Sequence, residues 1–216
     1  MDWRLLADVP PEQVRELLQL ARRRRFSRNE VVFHRDDPGD SLHLVNTGRF
    51  AIRVMTPLGD TATIAVRGPG DSFGEMALVG GMRRSATVAA LEDSETFSIY
   101  EREFAQLRRD HPAVSQVLVR FLVSEVRMLN EKLLEALYMP VERRVVRRLV
   151  ELAEQYPAED GVPEIALTQE TIAELAGAKR PTVNQVLREE AERGTIELQR
   201  GKTRVLDLDA LRERAR

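Results

Sequence analysis

Between residues 26 and 100 the chain runs in short apolar or alternating segments: EVVFH, SLHLV, FAIRV, TATIAV, SATVAA and ETFSIY. Pro38-Gly39, Gly48, Gly59 and Pro69-Gly70 punctuate them. Short segments with turn residues between them predict antiparallel strands. Ahead of them, VPPEQVRELLQLA (residues 9–21) starts on proline and sets Val14, Leu17, Leu18 and Ala21 on one face, which predicts a short amphipathic helix. The segments PGDSLHLV and PGDSFGEM echo one another at Pro38 and Pro69, as a roll built from similar turns would.

The pattern then changes. From about 111 to 137 no glycine interrupts, and Val119, Leu122, Val126, Leu129, Leu133 and Ala136 recur at alternating steps of three and four. That is a heptad seam, and a long helix with so narrow a stripe predicts burial against a twin, hence a homodimer. Pro112 falls where a first helical turn tolerates it, and Met139-Pro140 ends the helix by removing a donor and clashing with the preceding turn. Past this break VERRVVRRLVELAEQ reads as a helix, PAEDGVP as a loop, and two helices and a hairpin complete a small domain.

Those last helices carry a specific pattern. In TQETIAELAGAKRPTVNQVLREEAERG (residues 168–194), Thr168 is placed to cap a helix whose apolar face is Ile172, Ala173 and Ala176. Gly177 permits a left-handed turn, Pro181 fits a first turn, and Val183, Val186 and Leu187 form the second buried face. The spacing is that of a helix-turn-helix. Arg180, Gln185 and Arg188 project away from the buried set with Asn184 beside them, offering donors and amides to base edges. Lys179 and Thr182 flank them at the start of the same helix, and IELQRGKTRVLDL alternates around Arg200-Gly201-Lys202, a hairpin wing whose cations suit phosphate.

Composition narrows the classes. With 216 residues, 43% hydrophobic and 31% charged, there is material for one large or two modest globular domains. The chain has no cysteine, so disulfides, thiolate-held clusters and cysteine zinc sites are excluded. His34, His43 and His111 are scattered rather than spaced for a metal, and no metal is expected. No run approaches a membrane span and the start lacks the order of a signal peptide, which predicts a cytoplasmic protein without a membrane partner. A net charge of -2 argues against a globally basic nucleic-acid binder but leaves room for a local basic surface. The run Arg22, Arg23, Arg24, Arg25 reads as a solvated edge.

Candidate chemistry centres on GDSFGEMALVGGMRRSATV (residues 70–88). A Gly-Asp-Ser esterase needs a late histidine, and none follows His111, so the chain is not expected to be an enzyme. A cradle accounts for more residues. Gly74 allows close backbone approach, and EMALV can form one helical turn with N–H groups toward an anion. Arg84 supplies a planar fork for phosphate oxygens and Ser85 a hydroxyl. Glu75 would repel a bare phosphate and suits a ligand that also donates a hydroxyl, as a ribose does. Met76 and Ala77 would contribute backbone amides.

FGEMALVGGMRRSATV resembles the phosphate-binding cassette of cyclic-nucleotide-binding domains: Phe-Gly-Glu-x-Ala-Leu, a short loop, then Arg-x-Ala-Thr-Val. Together with the long helix and the helix-turn-helix, essentially the whole chain is similar to the CRP/FNR family of bacterial transcription regulators. The resemblance implies an α+β fold: a β-roll sensor domain over residues 1–110, a dimerisation helix over 111–138, and a winged helix-turn-helix over 139–216. It implies cyclic AMP (cAMP) as allosteric effector, with Arg84 and Ser85 on the cyclic phosphate and Glu75 on the ribose 2′-hydroxyl. Gly74, Met76 and Ala77 would form the backbone side, and Leu129 and Asn130 would approach the purine. Cyclic-AMP-responsive members often carry threonine where Leu129 stands. The implied partners are palindromic double-stranded DNA, a second copy of the chain and RNA polymerase. Paired recognition helices would lie about 34 Å apart, in successive major grooves. The alternative reading is a family regulator that needs no effector or senses another small molecule.

Overall fold

A computed structural model describes residues 3–7, 9–57, 59–78, 82–110, 113–156, 158–159 and 161–216, without the side chains of 77, 107, 110, 113 and 159. His111, Pro112 and the loop residues Val79, Gly80 and Gly81 lie outside the described residues. The chain divides into two compact units, Met1–Leu129 and Asn130–Arg216.

Among its described residues the first unit carries eight strands: β1 (Arg22–Phe26), β2 (Val31–Phe33), β3 (Ser41–Thr47), β4 (Phe50–Met55), β5 (Thr61–Arg67), β6 (Ser72–Phe73), β7 (Thr87–Ala90) and β8 (Ser94–Tyr100). They form two four-stranded antiparallel sheets in the orders β1-β8-β3-β6 and β2-β7-β4-β5. Each apolar segment of the sequence became a strand. The period of two sorts β3 between two cores. Val45 joins Phe26, Phe50, Phe73, Val88 and Ala90 in a cluster drawn from both sheets. Leu42 and Leu44 face the other way, with Ile99, onto the helices. There they meet Leu17 of α1 (Pro11–Leu20), Phe104 of α2 (Glu101–Asp110), and Val114, Val117 and Leu118 of α3 (Ala113–Tyr138). Trp3 closes this layer, its indole N–H donating to the Val45 carbonyl at 2.9 Å.

Arg22 to Arg25 are a solvated edge, as read from the sequence, and that edge is the outer strand β1. RRRRF offers no apolar alternation, and only Phe26 of the five is buried. What makes it a strand is five-residue pairing with β8, reinforced by Arg23 and Arg25 on the Glu95 carboxylate. Ser72, in the second Gly-Asp-Ser triplet, is half of the two-residue β6 and is buried.

The second unit begins inside α3 and continues through α4 (Val141–Gln155), β9 (Ala158–Glu159), β10 (Val162–Ile165), α5 (Gln169–Ala176), α6 (Arg180–Glu192), β11 (Ile196–Gln199), β12 (Lys202–Val205) and α7 (Leu208–Ala215). Strand β12 lies between β11 and β10, so the wing is part of a sheet in the order β11-β12-β10-β9. The predicted loop at PAEDGVP thus holds a short hairpin, turned at Gly161 with φ +78°. Helix α7 has too weak an apolar stripe to read from sequence, with Leu211 and Ala215 buried; the Asp207 side chain caps it by accepting from the Ala210 N–H. The architecture is α+β, as the strand rhythm followed by helices predicts. Among the described residues no helix is long and apolar enough to cross a membrane.

Candidate functional site

The cassette is built on the end of β6 and the start of β7. After Phe73 the chain turns at Gly74 with φ +83° and enters a single 3₁₀ turn, Glu75–Leu78. A Cβ on Gly74 would lie 2.7 Å from Arg84 Nη1 and 2.9 Å from the Ser41 carbonyl oxygen. Glycine is therefore required twice, by its backbone angle and by the space the arginine fills.

Arg84 is 4% exposed. Its Nη1 donates to the carbonyls of Ser41 (2.7 Å) and Gly74 (3.3 Å), and its Nη2 to Asp40 Oδ1 (3.1 Å) and Ser41 Oγ (3.0 Å). The guanidinium also lies 4.0 Å over the Phe33 ring. Nε, buried, has no hydrogen-bond partner among the described residues. Burial pulls the Arg84 pKa below its ordinary value, and the carboxylates of Asp40, Asp37 and Glu75 oppose that pull. The neighbouring Arg83 is exposed and points elsewhere, to the Asp36 carbonyl at 2.6 Å.

Glu75 is half-buried, and burial pushes its carboxyl above the usual carboxylate range. A backbone hydrogen bond of its own and the charge of Arg67 act against the shift, while Glu125 adds to it. Ser85 is exposed, its hydroxyl donating to Met76 Sδ at 3.4 Å. Met76 is 39% exposed, and Ala77 contributes its backbone to the same turn. The sequence-derived set Gly74, Glu75, Met76, Ala77, Arg84 and Ser85 is thus gathered on one turn and the segment that leads into β7. Leu129 and Asn130 are both exposed on α3.

These residues suit a sugar phosphate. A buried cation with one orphaned N–H, an exposed serine next to it in sequence and a carboxyl that burial has made a readier proton holder match an anionic group carrying a hydroxyl. The sequence reading missed three partners of the arginine, Phe33, Asp40 and Ser41. Their signal was the repeated Gly-Asp-Ser triplet, whose first copy supplies two of them.

In the second unit Thr168 Oγ1 accepts from the Thr171 N–H at 3.2 Å, and α5 ends at Gly177 in the left-handed conformation, φ 58° and ψ 44°. Helix α6 follows after two residues, with proline in its first turn. Ile172, Ala173 and Ala176 of α5 and Val183, Val186 and Leu187 of α6 are buried, which presents the opposite face of α6 outward. Lys179, Arg180, Gln185 and Arg188 are exposed on that face; Thr182 and Asn184 are half-buried. Gln185 Nε2 donates to Glu189 at 3.1 Å. On the wing, Arg200 is exposed at the β11–β12 turn, whereas Lys202 Nζ is held by both oxygens of Glu164, at 2.8 and 2.9 Å.

Comparison with known proteins agrees with both halves of this description. The family model of the cyclic nucleotide-binding domain matches residues 23–111, and that of the Crp-like helix-turn-helix domain matches residues 143–214. A CRP-like cAMP-activated global transcriptional regulator of Mycobacterium tuberculosis is 30% identical over 211 residues, 96% of this chain and 94% of that protein. The chain belongs to the CRP/FNR family. The cyclic AMP receptor protein of Thermus thermophilus is 30% identical over 209 residues, covering 97% and 95% of the two chains. The crystal structure of the Thermus thermophilus catabolite activator protein superposes with a TM-score of 0.58 at 30% identity, covering 98% of each chain. As a CRP/FNR member the protein is a DNA-binding transcription regulator with a cyclic-nucleotide-binding domain, not an enzyme.

Proposed function

We propose that this CRP/FNR regulator responds to cyclic AMP and binds a palindromic DNA operator as a homodimer. The observation that carries the reading is the fit of Arg84 against Gly74: a buried guanidinium packed on a left-handed glycine, where any side chain would be strained and would meet the arginine, with the exposed Ser85 next to it in sequence. Arg84 and Ser85 hold the cyclic phosphate, Glu75 accepts the ribose 2′-hydroxyl, and Gly74, Met76 and Ala77 form the backbone side. Leu129 and Asn130 are the proposed partners of the base. Bound cyclic AMP supplies an anion and a hydroxyl to this site and undergoes no reaction there.

Dimerisation is supported by the α3 seam, where Val119, Val126, Leu129 and Leu133 are 58, 56, 54 and 56% exposed. Apolar side chains in such a row are normally covered. The recognition helix is α6, with Lys179, Arg180, Thr182, Asn184, Gln185 and Arg188 toward DNA; Arg180 favours guanine and Gln185 adenine. Arg200 and Lys202 serve phosphates from the wing, Lys202 after leaving Glu164. We further propose a cytoplasmic setting, a contact with RNA polymerase, and a functional division into a sensor (1–110), a dimerisation helix (111–138) and a DNA-binding domain (139–216).

DNA affinity measured by fluorescence anisotropy with and without cyclic AMP tests the reading. Coupling of about 1 to 3 kcal/mol predicts a change of roughly 5 to 150-fold. One observation favours an effector-independent regulator instead: both terminal nitrogens of Arg84 are already bonded within the protein. Equal DNA affinity with and without cyclic nucleotides would select it.

A further inference from the structure

The triplet Gly-Asp-Ser occurs at residues 39–41 and again at 70–72, and the proposed function gives the first copy no task. In the fold this copy closes on the cassette arginine. Asp40 Oδ1 accepts from Arg84 Nη2 at 3.1 Å and from the Ser41 hydroxyl at 2.8 Å, while Ser41 accepts from the same guanidinium through both its carbonyl and its hydroxyl. The carbonyl of Gly74 takes a fourth bond. A guanidinium has five N–H groups. Only Nε is left for an outside ligand, so an anion that is to grip Arg84 by a two-pronged edge must displace one of these acceptors.

The acceptors differ in how easily they give way. Ser41 begins β3, is 5% exposed and is fixed in register opposite Tyr100; removing its carbonyl would move the strand. The Gly74 carbonyl belongs to the turn that forms the cradle. Asp40 precedes β3 and its side chain is 67% exposed, against 3% for that of Arg84. It can rotate into water and recover full hydration, the condition under which a charge pair is readily surrendered. Phe33, 4.0 Å beneath the guanidinium, keeps Arg84 in position during the exchange. The exchange also balances in charge, because a singly charged cyclic phosphodiester replaces a singly charged carboxylate. Asp37 and Glu75, the other acids that act on Arg84, gain a phosphate neighbour while the hydrated Asp40 carboxylate moves away from the guanidinium.

We propose that Asp40 is an affinity-setting residue: it stands in for the ligand phosphate on Arg84 in the ligand-free protein and is displaced when a cyclic nucleotide binds. This rests on the reading of the Gly74 and Arg84 cradle as the phosphate site. In that role Asp40 lowers affinity and supplies a ligand-free state in which Arg84 is not left bare.

Isothermal titration of the full chain with cyclic AMP tests it, comparing the wild type with Asp40→Asn and Asp40→Ala. Loss of a competing charged acceptor at a mostly exposed side chain predicts roughly tenfold tighter binding in both variants. Thermal melting without ligand should leave both folded, and the ¹⁵N resonance of Arg84 Nε–H should shift in the ligand-free variants toward its nucleotide-bound position. Unchanged or weaker binding in both variants while the wild type binds would overturn the placeholder and leave the cradle standing, with Asp40 then a residue that positions Arg84. No binding to any of the three proteins would overturn the cradle and the placeholder together. If only one variant folds, its affinity decides between the same outcomes.

Discussion

Arg144 Nη2 donates to the carbonyl of Gly177 at 3.2 Å, while Nε reaches the carbonyl of Ala176 (3.1 Å) and Nη1 that of Met139 (3.0 Å). One side chain from α4 therefore satisfies carbonyls at the end of α5, where helical acceptors lack partners, and the carbonyl just before the Pro140 break. Arg144→Met keeps the stem and removes every donor. The free energy of unfolding should fall by roughly 1 to 3 kcal/mol and DNA affinity should fall with it. Arg144→Lys, a point charge on a similar stem, should recover only part of the loss. Urea unfolding and anisotropy on the three proteins check this; a Met variant with wild-type values in both would remove the link between the break and the helix-turn-helix.

Gly74→Ala places a methyl group at a φ of +83°, against Arg84 Nη1 and the Ser41 carbonyl. Strain at such an angle costs on the order of 1 to 3 kcal/mol before any clash is counted. The variant should melt earlier and lose most of its cyclic nucleotide affinity, because relief comes only by moving the arginine or β3. Retained affinity in a calorimetric titration would show that the cradle does not depend on this contact.

His43 gives the protein an acid response. It is 3% exposed, stacked on Phe73 with ring centroids 4.9 Å apart, and its Nδ1 lies 3.1 Å from the Thr96 hydroxyl. Burial, then the positive charges of Arg84 and Arg24, lower its pKa from 6.5 to about 3. Between those values the unfolded chain binds a proton that the folded chain refuses. Stability from this group is therefore complete above about pH 6.5 and is lost as pH falls toward about 3, by up to about 1.4 kcal/mol per pH unit. His43→Phe should flatten that portion of the curve. The unfolding midpoint of the wild type should fall relative to that of the variant as pH drops through the window; parallel curves would mean that His43 takes its proton without penalty.

Leu133→Asp puts a charge within the exposed α3 seam, where Leu133 is 56% exposed. The proposed dimer should dissociate at micromolar concentration, while the circular dichroism of each folded chain is retained. Sedimentation velocity reads the result directly, and a variant that sediments like the wild type would place the association surface elsewhere.

Patterns of spacing announced most of the fold. Six apolar segments became β2, β3, β4, β5, β7 and β8, and the Thr168 cap and the Gly177 turn stand where their chemistry requires. What escaped lacked a local signal. RRRRF is a strand because β8 pairs with it, α7 has two buried side chains, and the β9–β10 hairpin is a few residues wrapped around Gly161. At the cassette the same division holds. Gly74, Glu75, Arg84 and Ser85 share one stretch of chain and could be read together. Asp40 and Ser41 are more than forty residues away from Arg84, at |i−j| of 44 and 43, and tertiary pairing alone brings them to it. The seam on α3 was legible as a pattern because apolar side chains repeat there at alternating steps of three and four; Leu122 packs on the chain's own core, while Val119, Val126, Leu129 and Leu133 are exposed.

The arginines of β1 have a bearing on how copies of the protein meet. This strand is the outermost of its sheet, and all four arginines are exposed. An outer strand is a template on which a second chain's strand can stack, and such stacking grows into open-ended aggregates. Here two approaching edges would confront one another with a row of guanidinium groups from each side, even after Glu95 has neutralised part of the charge. Repulsion at the sheet border favours the proposed association through the apolar stripe of α3, where pairing two helices would close the assembly at two chains instead of extending it.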